Sequence, residues 1–121
     1  MMVPGRDPIS ITKTVANVDL APTIMAIAGD TGDHSYDGLS ILPLIDDPEA
    51  PWRFNILIEH LRQKVFSAVR NERWTYIWWM KTGHQELYNR RRDPYQLQNL
   101  ADRNPDRVAR LRRHLQRLRT D

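Results

Sequence analysis

The sequence predicts an α+β fold: a small four-stranded antiparallel sheet over residues 55–88, packed by a C-terminal helix at about 105–119 and preceded by a helix at about 19–28 and a loop. Three observations predict it. Between Asn55 and Tyr88 the pattern is extended and rich in β-branched and aromatic residues. After Asn104 it turns helical, with Val108, Leu111, Leu115 and Leu118 at spacings of three, four and three. Between Asp19 and Gly29 a shorter helical pattern ends on glycine.

Met1 to Thr14 reads as an irregular lead-in with two prolines and a glycine. Asp19 stands where an N-cap belongs, its carboxylate able to accept from first-turn amides, and Pro22 falls where its missing donor does no harm. Leu20, Ile24 and Ile27 repeat at helical spacing, Met25 reads as core filler, and Gly29 supplies a left-handed stop. Asp30 to Gly38 is a polar loop, followed by a short apolar run from Leu39 to Ile45 that is broken by Pro43 and closed by Asp46-Asp47-Pro48.

Strands are expected at Asn55–Glu59, Val65–Arg70 and Trp74–Met80, and a fourth at Gln85–Tyr88. Arg70 to Arg73 and Lys81 to His84 are the turns, which makes the sheet a meander. Trp74, Tyr76, Trp78 and Met80 share one face of the third strand while Ile77 and Trp79 take the other, so this strand is expected to be central and covered on both sides. The tryptophans read as core packing in preference to a stacking platform. The last helix opens with Asn104 as N-cap, Pro105 at N1 and Asp106 in the first turn. Its apolar stripe is about 15 Å long, and arginines 107, 110, 112, 113, 117 and 119 are assigned to the opposite faces.

With 121 residues the chain has room for one modest domain. Its mean hydropathy of −0.63 is on the polar side, as for a piece that rests against something larger. No cysteine is present, which excludes disulfides and thiolate chemistry. The net charge of +3 collects in Arg90 to Arg92 and the last helix, where a solvated face explains it as well as an anion-binding surface does. Met1 to Asp7 holds no apolar run that could serve as a signal peptide or membrane span, and localisation is left unknown.

Three motifs carry a family resemblance. Val18-Asp19-Leu20-Ala21-Pro22-Thr23-Ile24-Met25-Ala26-Ile27-Ala28-Gly29, then Asp37-Gly38-Leu39-Ser40-Ile41-Leu42-Pro43-Leu44, then Glu86-Leu87-Tyr88-Asn89 with Asp93-Pro94, Gln96 and Asn99-Leu100-Ala101, occur in one order. They resemble the VDLAPTLLALAG, DGxSLxPLL and ELYDL…DP…E…NLA segments near the C-terminus of type I sulfatases, arylsulfatase-like and N-acetylglucosamine-6-sulfatase-like hydrolases of the alkaline-phosphatase-like superfamily. Asn89 stands where the family has Asp and Gln96 where it has Glu. In the third run Glu86 to Tyr88 end a strand, Arg90 to Arg92 carry the chain into solvent, Asp93-Pro94 starts a turn, and Leu97, Leu100 and Ala101 bring the chain back onto a core. Met2-Val3-Pro4-Gly5 resembles the end of the family's R-G-P-G turn.

The resemblance implies that residues 1–50 are the tail end of the large α/β catalytic domain and residues 51–121 the C-terminal subdomain. A sulfatase converts a cysteine or serine in a C/S-x-P-x-R motif into formylglycine and holds calcium on carboxylates. Ser10, Ser35, Ser40 and Ser67 all lack that context, the family's metal carboxylates are absent, and Asp46-Asp47 lacks the further oxygens calcium requires. No catalytic or metal residue is therefore assigned, and no cofactor is expected in this chain; calcium and formylglycine are expected in the full-length family.

The four histidines lack zinc spacing. Glu59, His60 and Arg62, at the end of the first strand, are the substrate-pocket candidates, because the resemblance puts loops of this region beside the cleft. The chain is thus expected to complete a sulfatase fold without being catalytic alone. Its partners are then the missing catalytic domain and a sulfated substrate, with neither nucleic acid nor membrane. A stand-alone interaction module, a basic anionic-polymer-binding domain and a truncated gene remnant stay open as alternatives.

Overall fold

The structure, a computed structural model, describes residues 9–30, 32, 34–60, 62 and 65–120, so the Met2–Gly5 resemblance lies outside the described residues. The chain forms two compact units, Met1–Trp52 and Arg53–Asp121.

In the first unit a 3-10 turn at Asn17–Asp19 leads into α1 (Leu20–Ile27). Asp19 does not cap α1 with its side chain, contrary to the sequence reading. Its carboxylate turns away from the helix: Oδ2 accepts from the Ala16 amide at 2.8 Å and Oδ1 from the Leu39 amide at 2.9 Å. One turn on, the Thr23 hydroxyl donates to the Asp19 carbonyl and its Oγ1 accepts from the Ile41 amide at 3.0 Å. Both side chains are fully buried. The first two sequence motifs are therefore clasped to each other, and Gly38 is the residue that lets them meet. A Cβ there would lie 2.1 Å from the Val18 carbonyl oxygen.

Gly29 ends α1 with φ +75°, as expected. The apolar stripe of α1 is not covered: Leu20, Ile24 and Ile27 are 45%, 58% and 44% exposed, while Pro22 and Thr23 are buried. The apolar run after Ser40 is a short helix, α2 (Leu42–Asp46), because Pro43 sits in its first turn, where no amide donor is needed. Leu44 is fully buried.

In the second unit β1 (Ile56–His60), β2 (Phe66–Arg70), β3 (Trp74–Trp79) and β4 (Gln85–Asn89) form an antiparallel sheet in the order β1-β2-β3-β4. This is the expected meander. Asn71 closes the β2–β3 turn by accepting from the Arg73 and Trp74 amides. Gly83 closes the next turn with φ +72°, donating its amide to Trp79. The register Leu57↔Val69↔Tyr76↔Leu87 puts those four residues and Trp74 on one face. There α3 (Pro105–Leu118) lays Val108, Leu111 and Leu115 against Val69, Trp74, Tyr76 and Leu87.

That face is the core of the unit. The expectation that β3 is covered on both sides holds on the helix side and in part on the other, where Ala68 and Thr75 are buried. On the other face Phe66, Ile77 and Trp79 are half-buried. Two arginines assigned to the outer faces of α3 also lie elsewhere. Arg107 stacks over the Trp74 ring at 4.3 Å and Arg112 over Trp78 at 5.0 Å, so each closes a flank of the core with its planar guanidinium. Asn104 occupies the N-cap position, but its side chain bonds back to the Leu100 carbonyl instead of capping α3.

After β4 the chain folds back on itself. Arg90 is half-buried rather than carried into solvent and donates from Nη1 to the Asn71 carbonyl at 2.6 Å, while Arg91 and Arg92 are exposed. The Asp93 carboxylate accepts from the amides of Leu97 and Gln98, and Gln96 takes the left-handed region at φ 55°. Asn99 then docks on β4: its Oδ1 accepts from the Leu87 and Ala101 amides and its Nδ2 donates to the Gln85 carbonyl. Leu100 and Ala101 pack on the core as expected, but Leu97 is 84% exposed and does not.

Asp19→Ala would leave two amides without their acceptor and should lower stability by about 3 kcal/mol, whereas Leu97→Ala should change it by less than about 0.5 kcal/mol. Urea denaturation of the two variants followed by circular dichroism measures both.

Candidate functional site

Three of the sequence candidates stand at the open end of β1, and strand alternation separates the first two. Glu59 shares the helix-side face with its partner Ser67. Its Oε1 accepts from the buried Ser67 hydroxyl at 2.7 Å and from Arg119 Nε at 2.8 Å, which ties the edge strand to the end of α3. His60 points to the opposite face and stacks on Phe66 with ring centroids 5.8 Å apart. Arg62 is exposed beyond the strand. The structure thus does not bring Glu59 and His60 together, and it engages Glu59 in holding the fold.

The face that His60 shares carries a second group of residues. Phe66 packs on Trp79 at 5.2 Å, the Trp79 indole donates to Glu86 Oε1 at 2.7 Å, and the Tyr88 hydroxyl donates to Glu86 Oε2 at 2.9 Å. His84 Nε2 lies 3.6 Å from Glu86 Oε1. Glu86 therefore organises an aromatic and polar surface on the half-covered side of the sheet. Burial, and then the hydrogen bond to Glu86, push the Tyr88 phenol up to about 12. Sequence reading placed Glu86 at the end of a strand without a role. Its spacing from Tyr88 puts both on one face, but the link to Trp79 needs the β3–β4 register and was not readable locally.

The residues present do not fit the cation or the nucleophile of the sulfatase reaction. Among the described residues no three His, Cys, Asp or Glu side chains gather as metal ligands, and Asp47 uses Oδ1 on the Glu49 amide. The Ser67 hydroxyl is buried and engaged by Glu59. The three motifs are accounted for otherwise, since Asp19, Thr23, Asp93 and Asn99 all accept backbone amides and so fix loops.

Comparison with known proteins decides what those loops belong to. A family model described as N-sulphoglucosamine sulphohydrolase, C-terminal, matches residues 2–121. The chain belongs to this family. The chain is 42% identical over 60 residues to human N-acetylglucosamine-6-sulfatase, covering 47% of this chain and 11% of that protein. It is 28% identical to the Bos taurus N-acetylglucosamine-6-sulfatase over 81% of this chain and 24% of that protein. It therefore spans no more than about a quarter of the curated relatives it matches.

Solved structures agree on the fold. A protein whose structure is in complex with its substrate D-glucosamine-2-N,6-O-disulfate matches with a TM-score of 0.70 at 21% identity, over 86% of this chain and 24% of that one. A Bacteroides thetaiotaomicron protein described as a putative sulfatase matches with the same score at 24% identity, over 84% and 24%. The phosphonate monoester hydrolase of Agrobacterium radiobacter matches at 0.60 and 22%, over the same shares. The chain is thus a C-terminal sulfatase region, as its motifs implied. Among the described residues no helix is long and apolar enough to cross a membrane.

The phenol of Tyr88 should titrate near 12, about two units above the ordinary range. Its folded pKa is raised, so the stability linked to it is complete below the unfolded value near 10 and is lost as pH rises through the folded one. Ultraviolet titration of the protein and of Glu86→Gln should show one tyrosine moving to lower pH in the variant.

Proposed function

We propose that this chain is the C-terminal part of a sulfuric ester hydrolase acting on sulfated glucosamine residues, that it completes the fold of a catalytic domain, and that it borders the substrate pocket without supplying the group that attacks sulfur. The observation that carries this reading is the use made of the motif residues. Asp19, Thr23, Asp93 and Asn99 are committed to backbone amides, so the residues that mark the family serve here as fastenings. Calcium and formylglycine would then belong to the remainder of the enzyme, whose C/S-x-P-x-R motif no serine of this chain reproduces.

The relatives support the substrate class. The matched proteins are N-acetylglucosamine-6-sulfatases, and one matched structure holds a disulfated glucosamine. The exposed α1 stripe of Leu20, Ile24 and Ile27 suits a surface that the missing catalytic domain covers, since a stripe of that size is normally buried. Residues 1–50 are accordingly read as the end of that domain and residues 51–121 as the C-terminal subdomain. Of the pocket candidates, His60 and Arg62 are the ones free to face a sugar, while Glu59 is held by Ser67 and Arg119.

The chain alone should give no turnover of an aryl sulfate with or without calcium, and turnover that copurified with it would contradict the reading. In the intact enzyme His60→Ala should raise KM for a sulfated glucosamine about tenfold, the loss of one hydrogen bond. An unchanged KM would remove His60 from the pocket.

A further inference from the structure

The second unit carries a cationic pocket that none of the sulfatase motifs explains. It has a volume of about 370 Å³, within the range of small-ligand sites. Arg73 from the β2–β3 turn, Arg91 from the segment after β4, and Arg107 and Arg110 from the first turns of α3 all line it around Trp74. Glu72 is the one acidic residue in its lining, and the 3.9 Å separation from Arg91 Nη2 makes that pair a loose one. Four cations therefore face one anion. Arg107 has a packing role on Trp74, but Arg73, Arg91 and Arg110 bring three more guanidinium groups beside it from three elements, and like charges so gathered repel one another.

Two features prepare this pocket for a ligand. Arg107 and Arg73 lie over the Trp74 ring at 4.3 and 5.6 Å, which holds their planar forks in place before anything binds. Phe54, 72% exposed, stands at the rim and offers an apolar face to a sugar ring. Fixed guanidinium forks suit the oxygens of sulfate groups, and an adjoining aromatic face suits the ring that bears them.

We propose that Arg73, Arg91, Arg107 and Arg110, with Trp74 and Phe54, form a binding site for a sulfated stretch of a polysaccharide. The proposal rests on the reading of this chain as part of an enzyme for sulfated glucosamine. Sulfated polysaccharide is favoured over nucleic acid because the arginines close around a pocket instead of following a groove, which is the arrangement needed to track successive phosphates.

The test is titration of the full chain with a heparin hexasaccharide at low and high salt, read by the indole N–H resonance of Trp74. Saturable binding that shifts this resonance and weakens with salt is expected. Arg91→Gln and Arg110→Gln, both at exposed positions, should each weaken it about tenfold, while Arg103→Gln and Arg117→Gln, outside the pocket, should stay within about twofold. Absence of binding, equal loss in the outer variants, or equally tight binding of a DNA duplex through the same arginines would each overturn the proposal. Turnover of a small sulfated glucosamine by the intact enzyme separates this site from the reading beneath it. Heparin binding lost in Arg110→Gln of an enzyme active on sulfate esters supports both, whereas heparin binding at these arginines in an enzyme inactive on sulfate esters keeps the site and removes the parent reading.

Discussion

The hydrogen bond from a backbone amide to a side-chain oxygen is the interaction on which this structure depends. Long irregular segments connect its helices and strands, and their amides need acceptors that neither helix nor sheet provides. Asp19 supplies one to Ala16 and one to Leu39, Thr23 to Ile41, Asn71 to Arg73 and Trp74, Asp93 to Leu97 and Gln98, and Asn99 to Leu87 and Ala101. Each is a short polar side chain whose reach matches the local turn. Leaving such an amide unpaired costs about as much as several surface contacts contribute.

The second unit adds a different economy of packing. Its helix is rich in arginine, and only one stripe of it is apolar, so α3 depends on the sheet for its stability. The sheet answers with aromatic residues at the margins of the contact. Trp74 and Trp78 each receive a guanidinium, which allows charged positions beside the stripe to cover apolar surface. The same stacking that seals the core orients Arg107 beside Arg110, and so packing and electrostatics meet at one pocket.

The longer elements were legible because each is local, whereas the short α2 read only as an apolar run broken by Pro43. The α3 stripe, the alternation of Trp74, Tyr76 and Trp78, and Gly29 and Gly83 at left-handed positions all express a period or a turn within a few residues. What failed were statements about which partner a side chain meets. Asp19 had the right residue type for a cap, yet its acceptor oxygen serves an amide twenty residues away. Arg107 and Arg112 read as outer-face charges because their tryptophan partners belong to β3. Leu97 read as core because apolar character was all that sequence offered. The candidate site was legible only in part, since spacing could put Glu59 beside His60 but could not foresee that Arg119 would occupy Glu59.

Functionally, a family signature can mark architecture as readily as chemistry. In this member of the N-sulphoglucosamine sulphohydrolase C-terminal family, the most recognisable residues hold loops in place, and the surfaces they leave open are the α1 stripe, the Glu86 face and the arginine pocket. Amide hydrogen exchange tests that central claim most directly. The amides of Leu39, Ile41 and Leu87, which bond to Asp19, Thr23 and Asn99, should exchange as slowly as those in the middle of β3. Exchange of Leu39 and Ile41 at the rate of an open loop would contradict it.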